Sequence, residues 1–115
     1  MNSSLIQIEN GVLIIGDKHI ELSHPVAEVK EWKNYIIVRV EPPVEELFNR
    51  NVFAFTKEGD CVWQIEESPH GTEKDKPYVG IFVDDRDNLI AANWNGVDYS
   101  VDTSSGKIST KAFNK

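Results

Sequence analysis

Apolar and polar residues alternate with a period of two along most of the chain, and the runs are broken at short intervals by Asn, Gly, Asp and Pro. That is the pattern of successive antiparallel strands. It is clearest from Tyr78 to Lys107, where Asp84-Asp85-Arg86-Asp87-Asn88, Trp94-Asn95-Gly96 and Thr103-Ser104-Ser105-Gly106 separate β-branched and aromatic segments. These turn signals predict a meander that ends in an edge strand over Ile108 to Phe113, whose lysine discourages edge-to-edge pairing.

The same reading extends to the rest of the chain. Leu5 to Glu9 and Val12 to Gly16 flank Asn10-Gly11, a hairpin signal because both central positions of a type I′ turn need positive φ. Asp17-Lys18 leads into His19 to Leu22, with His19 on the solvated side, and Ser23-His24-Pro25 then interrupts pairing because proline lacks an N–H. Val26 to Trp32 precedes Tyr35 to Val40, which is almost wholly β-branched and reads as a central strand buried on both faces. Glu41-Pro42-Pro43 ends it. Pro43 to Phe48, a proline followed by acids, predicts one short helix. Asn51 to Thr56 and Cys61 to Glu66 pair around Lys57-Glu58-Gly59-Asp60. Alternation puts Cys61, Trp63 and Ile65 inward, with Cys61 a small buried apolar residue rather than a reactive thiol. Glu67 to Pro77 is polar, contains two prolines and reads as a mobile surface loop.

An internal repeat organises these elements. Phe53 lies over Tyr99, Phe55 over Val101 and, after a one-residue insertion, Gly59 over Gly106. Lys30 to Asn34 before YIIVRV lies over Asp84 to Asn88 before LIAAN. The chain of 115 residues is expected to form one domain, with an N-terminal hairpin and strand (5–22) and two four-stranded meanders (26–66 and 78–113). The segment DDRDNLIAANWNGVDYSVDTSSGKI resembles the blade repeat of the NHL and SMP-30 class of β-propellers, and NVFAFTKEGDCVWQI resembles the pyrroloquinoline-quinone-type repeat. The run over 26–113 is also similar to a group of short bacterial proteins. The resemblance implies blade-like sheets, yet propellers typically have four to eight blades, and this chain supplies two, or two and a half with the N-terminal hairpin. The expected fold is therefore all-β, with duplicated antiparallel four-stranded meanders packed as a small sandwich or open barrel and one short helix. Assembly of several chains into a propeller is the alternative. Lactonase-type members of the SMP-30 class hold a divalent metal, and no matching ligand set is present in the sequence.

Composition narrows the function. Nineteen acids against twelve bases give a net charge of −7, which would repel nucleic acid and attract a basic protein. MNSSLIQIENG has no basic start followed by an apolar run, and no stretch reaches the roughly 18 apolar residues of a membrane helix, so no membrane is expected as a partner and a cytoplasmic location is. One cysteine permits no internal disulfide. Asp84, Asp85 and Asp87 lack the spacing of a calcium loop and suit a turn instead. His19, His24 and His70 are scattered, with no zinc-ligand spacing, and Ser68 near His70 has no oxyanion loop around it. Neither a cofactor, a metal nor a catalytic residue is therefore expected. Trp94 at its turn, the acidic pairs Glu45-Glu46 and Glu66-Glu67, and Asn95 and His70 are the candidate protein-contact residues. They point to a non-enzymatic interaction module, in its sharpest form an immunity-type protein covering a basic toxin. The alternatives are a structural protomer that completes a propeller by homo-oligomerisation and a metal-dependent lactonase-like enzyme.

Overall fold

The computed structural model describes residues 6–69 and 74–113. Eleven strands and no helix are found among them: β1 (Ile6–Glu9), β2 (Val12–Ile15), β3 (Lys18–Ile20), β4 (Val26–Trp32), β5 (Tyr35–Val40), β6 (Val52–Thr56), β7 (Cys61–Gln64), β8 (Tyr78–Val83), β9 (Leu89–Asn93), β10 (Val97–Val101) and β11 (Ile108–Phe113). Within each of three sheets every strand pairs antiparallel with its neighbours in sequence, in the orders β1-β2-β3, β4-β5-β6-β7 and β8-β9-β10-β11. The two expected meanders are the second and third sheets, and the N-terminal strands form a sheet of their own. Asn10 and Gly11 carry the φ values of 53° and 78° that a type I′ turn requires.

The β4–β7 sheet is the middle layer. In β5, Ile36, Val38 and Val40 face Leu13, Ile15 and Ile20 of the first sheet, while Ile37 joins Ala54 and Trp63 against Ile81, Leu89, Ala91 and Tyr99 of the third. All four of these β5 side chains are fully buried, which is why the strand lacks a polar face. Complete burial of each such side chain contributes roughly 1.5–3 kcal/mol.

Polar side chains fasten the second and third sheets. Where edge strand β4 meets edge strand β8, Glu28 Oε1 accepts hydrogen bonds from Arg39 Nε at 2.8 Å and from the Ile81 amide at 3.3 Å. At the other side Trp63 Nε1 donates to the Thr103 carbonyl at 2.9 Å, and its ring lies over Gly106, where a β-carbon would meet Trp63 Cε3 at 2.8 Å. Gly106 also has a φ of +78°, so glycine is required there for both reasons.

Three expectations are corrected. Pro43 to Phe48 is not helical: Val44 and Glu45 form a turn closed by Glu46 N to Pro43 O at 3.0 Å. Six residues are too few to offset helix nucleation, and the side chains of Glu46 and Phe48 are engaged by His24 instead. Cys61 is exposed, although Trp63 and Ile65 are buried. A bulge causes this: Phe55 pairs with Cys61 while Ala54 pairs with Trp63, so the alternation breaks between the two. Of the loop expected over Glu67 to Pro77, residues 70–73 lie outside the described residues, and the parts on either side of them are held in place. Ser68 and Lys76 are 2% and 8% exposed, and both ends are held by asparagine side chains. Among the described residues, no helix is long and apolar enough to cross a membrane.

Candidate functional site

Two asparagine pairs, Asn49-Arg50-Asn51 and Asn93-Trp94-Asn95, build the site. The first lies just before β6. Asn51 Nδ2 donates to the carbonyls of Val40 and Tyr78 at 3.0 and 2.9 Å, and its Oδ1 accepts from the Tyr78 amide at 2.8 Å. Two residues earlier, Asn49 Nδ2 donates to the Lys74 carbonyl at 2.6 Å and its Oδ1 accepts from the Lys76 amide at 2.8 Å. The two amides thus act as a strand for residues 74–78, pairing with alternate backbone groups.

The second pair holds the other side of that segment. Asn93 Nδ2 donates to the Lys76 carbonyl at 2.8 Å, and the Trp94 amide donates to the Pro77 carbonyl at 3.0 Å. Asn95 points inward, donating to Ser68 Oγ at 2.8 Å and accepting from the Val97 amide at 2.9 Å. With Asn93 and Asn95 both buried, the residue between them is presented outward: Trp94 is 54% exposed. Gly96, at φ 88°, closes the turn.

Facing Trp94 is the proline turn 41–46. His24 braces it, its Nε2 bonding Glu46 Oε2 at 2.8 Å, its Nδ1 bonding Ser23 Oγ at 2.8 Å, and its ring lying 4.8 Å from that of Phe48. Pro42 is buried beneath the turn, whereas Val44 at its tip is 92% exposed. Between the turn, residues 74–79 and Trp94 lies an open groove of about 580 Å³. Its apolar surface comes from Pro42, Pro43, Val44, Pro77, Val79 and Trp94, and its charged groups are Glu41, Glu46, Asp75 and Lys74. Glu41 Oε1 also accepts from Arg39 Nη1 at 2.8 Å.

Beneath the groove the interior is polar but closed. Ser68 Oγ and the Tyr99 hydroxyl are hydrogen-bonded, and the Tyr78 hydroxyl donates to the Glu66 carbonyl at 2.7 Å. Burial pushes the Tyr78 phenol well above its ordinary value, with Tyr99, Glu66 and Glu67 adding to the effect. Tyr78 and Tyr99 meet edge to face at 6.2 Å. This cluster fixes the position of Asn95 and through it the turn that carries Trp94.

The candidate contact residues are therefore separated by the fold. Trp94 and Glu46 line the groove together. Glu45 is exposed on the same turn but outside the lining. Asn95 is a buried brace. Glu66 Oε1 accepts from the Ile108 amide at 2.9 Å, and Glu67 lies beside Asn49 in a different, shallower groove. His70 lies outside the described residues. Val44, Val79 and the three prolines are lining residues that sequence reasoning missed. The only local signal was Pro42-Pro43-Val44, an apolar tip on a polar turn.

The remaining reactive groups are occupied by structure. Asp84 Oδ1 accepts from the Asn88 amide at 2.8 Å and the Arg86 amide at 2.9 Å, and Lys111 Nζ lies 3.3 Å from Oδ2. The Asn88 bond is the largest cause holding its carboxyl at about 2. Asp102 is lowered as well, chiefly by the Ser104 amide. Partial burial raises the Cys61 thiol, with the Trp63 carbonyl as its hydrogen-bond partner. Among the described residues, no three His, Cys, Asp or Glu side chains are grouped to hold a metal ion.

The chain belongs to the family described as Domain of unknown function (DUF7957), whose model matches residues 3–113. No curated protein and no solved structure matches it significantly.

Proposed function

We propose that the chain is a non-enzymatic protein-interaction module that docks a basic partner through the groove between the proline turn and Trp94. The observation that carries this reading is the gathering of three exposed apolar residues, Val44 (92%), Trp94 (54%) and Val79 (49%), on one concavity with three carboxylates around it. An exposed tryptophan on a rigid support is a common binding anchor. The net charge of −7 favours fast, electrostatically steered capture of a cationic protein. An immunity-type role against a basic toxin is the specific form of this proposal. Co-expression with a basic toxin encoded by a neighbouring gene should yield a stable complex, weakened about tenfold or more by Trp94→Ala. A toxin that is neither bound nor neutralised removes the immunity role.

A second reading is favoured by the layering. The three meanders stack in chain order, with the first strands of the second and third sheets, β4 and β8, side by side, as in consecutive propeller blades. Several copies could then complete a ring. Light scattering tests this: a mass of 13.0 kDa in solution rules the ring out, and a multiple supports it.

A further inference from the structure

The groove is rich in hydrogen-bond acceptors and poor in donors, and this limits what can occupy it. Pro42, Pro43 and Pro77 have no N–H to offer. The amides of Glu41, Glu46 and Trp94 are already committed, to the carbonyls of Pro25, Pro43 and Pro77, each at 3.0 Å. The Tyr78 amide is taken by Asn51. Among the described residues the lining presents the carboxylates of Glu41, Glu46 and Asp75, the first two each with one oxygen already engaged, by Arg39 and by His24, and Lys74 as the one cationic side chain. An incoming strand would find the amides of Glu41, Glu46, Tyr78 and Trp94 already taken, which favours recognition through side chains over a backbone ladder.

We infer that the groove recognises an arginine-bearing segment of the partner protein, with a guanidinium stacked on the Trp94 indole and paired with the surrounding carboxylates. This inference rests on the interaction reading above and names its ligand chemistry. Arginine carries five N–H donors and no acceptor, so it complements a wall of acceptors. Its planar cation stacks on an aromatic face while its edge bonds carboxylates, a combination the more strongly hydrated lysine ammonium matches poorly. Val44 and Val79 add apolar surface for a neighbouring aliphatic side chain of the same segment. The frame of the site is preformed, since the backbone that carries Trp94 is fixed by the two asparagines beside it and the proline turn by His24.

The test uses the full chain and three blocked synthetic peptides, Ala-Arg-Leu-Arg-Ala, the same peptide with lysine for both arginines, and the same with citrulline. Binding is followed in every variant by isothermal titration calorimetry and, wherever Trp94 is present, also through its indole N–H resonance, assigned by its loss in Trp94→Ala. The arginine peptide should shift that resonance, with affinity at least about fivefold above the lysine peptide and no detectable binding of citrulline. Trp94→Ala and the double change Glu46→Gln with Asp75→Asn should each weaken binding about tenfold, and raising the salt should weaken it further. Equal binding of arginine and lysine peptides, or binding indifferent to Trp94→Ala, overturns the inference, as does no shift at millimolar peptide. If the peptides fail while a co-expressed partner is still lost on Trp94→Ala, only the arginine assignment falls. If that partner is insensitive too, the interaction reading at this groove falls with it.

Discussion

The second and third sheets share one four-stranded meander topology, and they differ in the connection between the second and third strands of each. In the third sheet residues 94–96 make that connection, while in the second sheet residues 41–51 make it. Both connections end at the same groove. The short one is stiff enough to hold a tryptophan in solvent, because its flanking asparagines are anchored inside. The long one wraps into a wall and then sends Asn49 and Asn51 across to the segment that leads into β8. The two sheets share one topology, and the concave surface comes from one of these connections being tight and the other long.

That comparison can be broken from either side. Asn51 is fully buried and serves three backbone groups, so Asn51→Ala should have the largest effect, lowering stability by about 3 kcal/mol in urea unfolding. A loss below about 1 kcal/mol would mean that the long connection is not what ties the second sheet to the third. Ile37→Val should cost less, about 1 kcal/mol, by trimming the fully buried β5 side chain that faces the third sheet. His24→Ala removes the brace of the proline turn and should cost about 1 kcal/mol, with faster amide exchange confined mainly to 43–48. Trp94→Ala should change stability by less than about 0.5 kcal/mol, because the side chain is exposed and its backbone bond survives. A larger loss would make Trp94 a packing residue rather than a contact residue.

Acid offers a further contrast, since Asp84 and Asp102 lie in turns of the third sheet alone. Their carboxyls are lower in the folded chain than the ordinary 3.8, so the stabilisation they give is complete above about pH 4 and is lost as the pH falls, for Asp84 toward about 2. Melting temperature should therefore decline between those values, and Asp84→Asn should flatten part of the decline. An unchanged slope in that variant would show that other acids govern it.

Much of the fold was legible in the sequence because it depends on local signals. Alternation, Asn10-Gly11 and the regular turns place nearly every strand, and the β-branched run of β5 announces burial on both faces. The errors arose where distant groups decide. Pro43 to Phe48 has helical local chemistry, but His24 holds its side chains elsewhere. The bulge at Phe55 is invisible to a period-two reading, and so Cys61 was placed on the wrong face. The polar residues Lys74 to Lys76 suggest mobility until the asparagines that satisfy their backbone are known. The groove draws on three separated segments, so only its most conspicuous members, Trp94 and Glu46, could be singled out beforehand.

The order of the strands also bears on how the chain reaches its structure. Every pairing within the three sheets joins strands adjacent in sequence, so each hairpin closes only a short loop and can form early at low entropic cost. Docking of the second sheet on the third is different, since Asn51 must find Tyr78, and Glu28 must find Ile81, across long stretches of chain. Folding should then proceed as rapid formation of separate meanders followed by a slower step in which they dock. The groove would exist only after that last step, which makes binding competence a report on the completed assembly of the chain rather than on any one of its sheets.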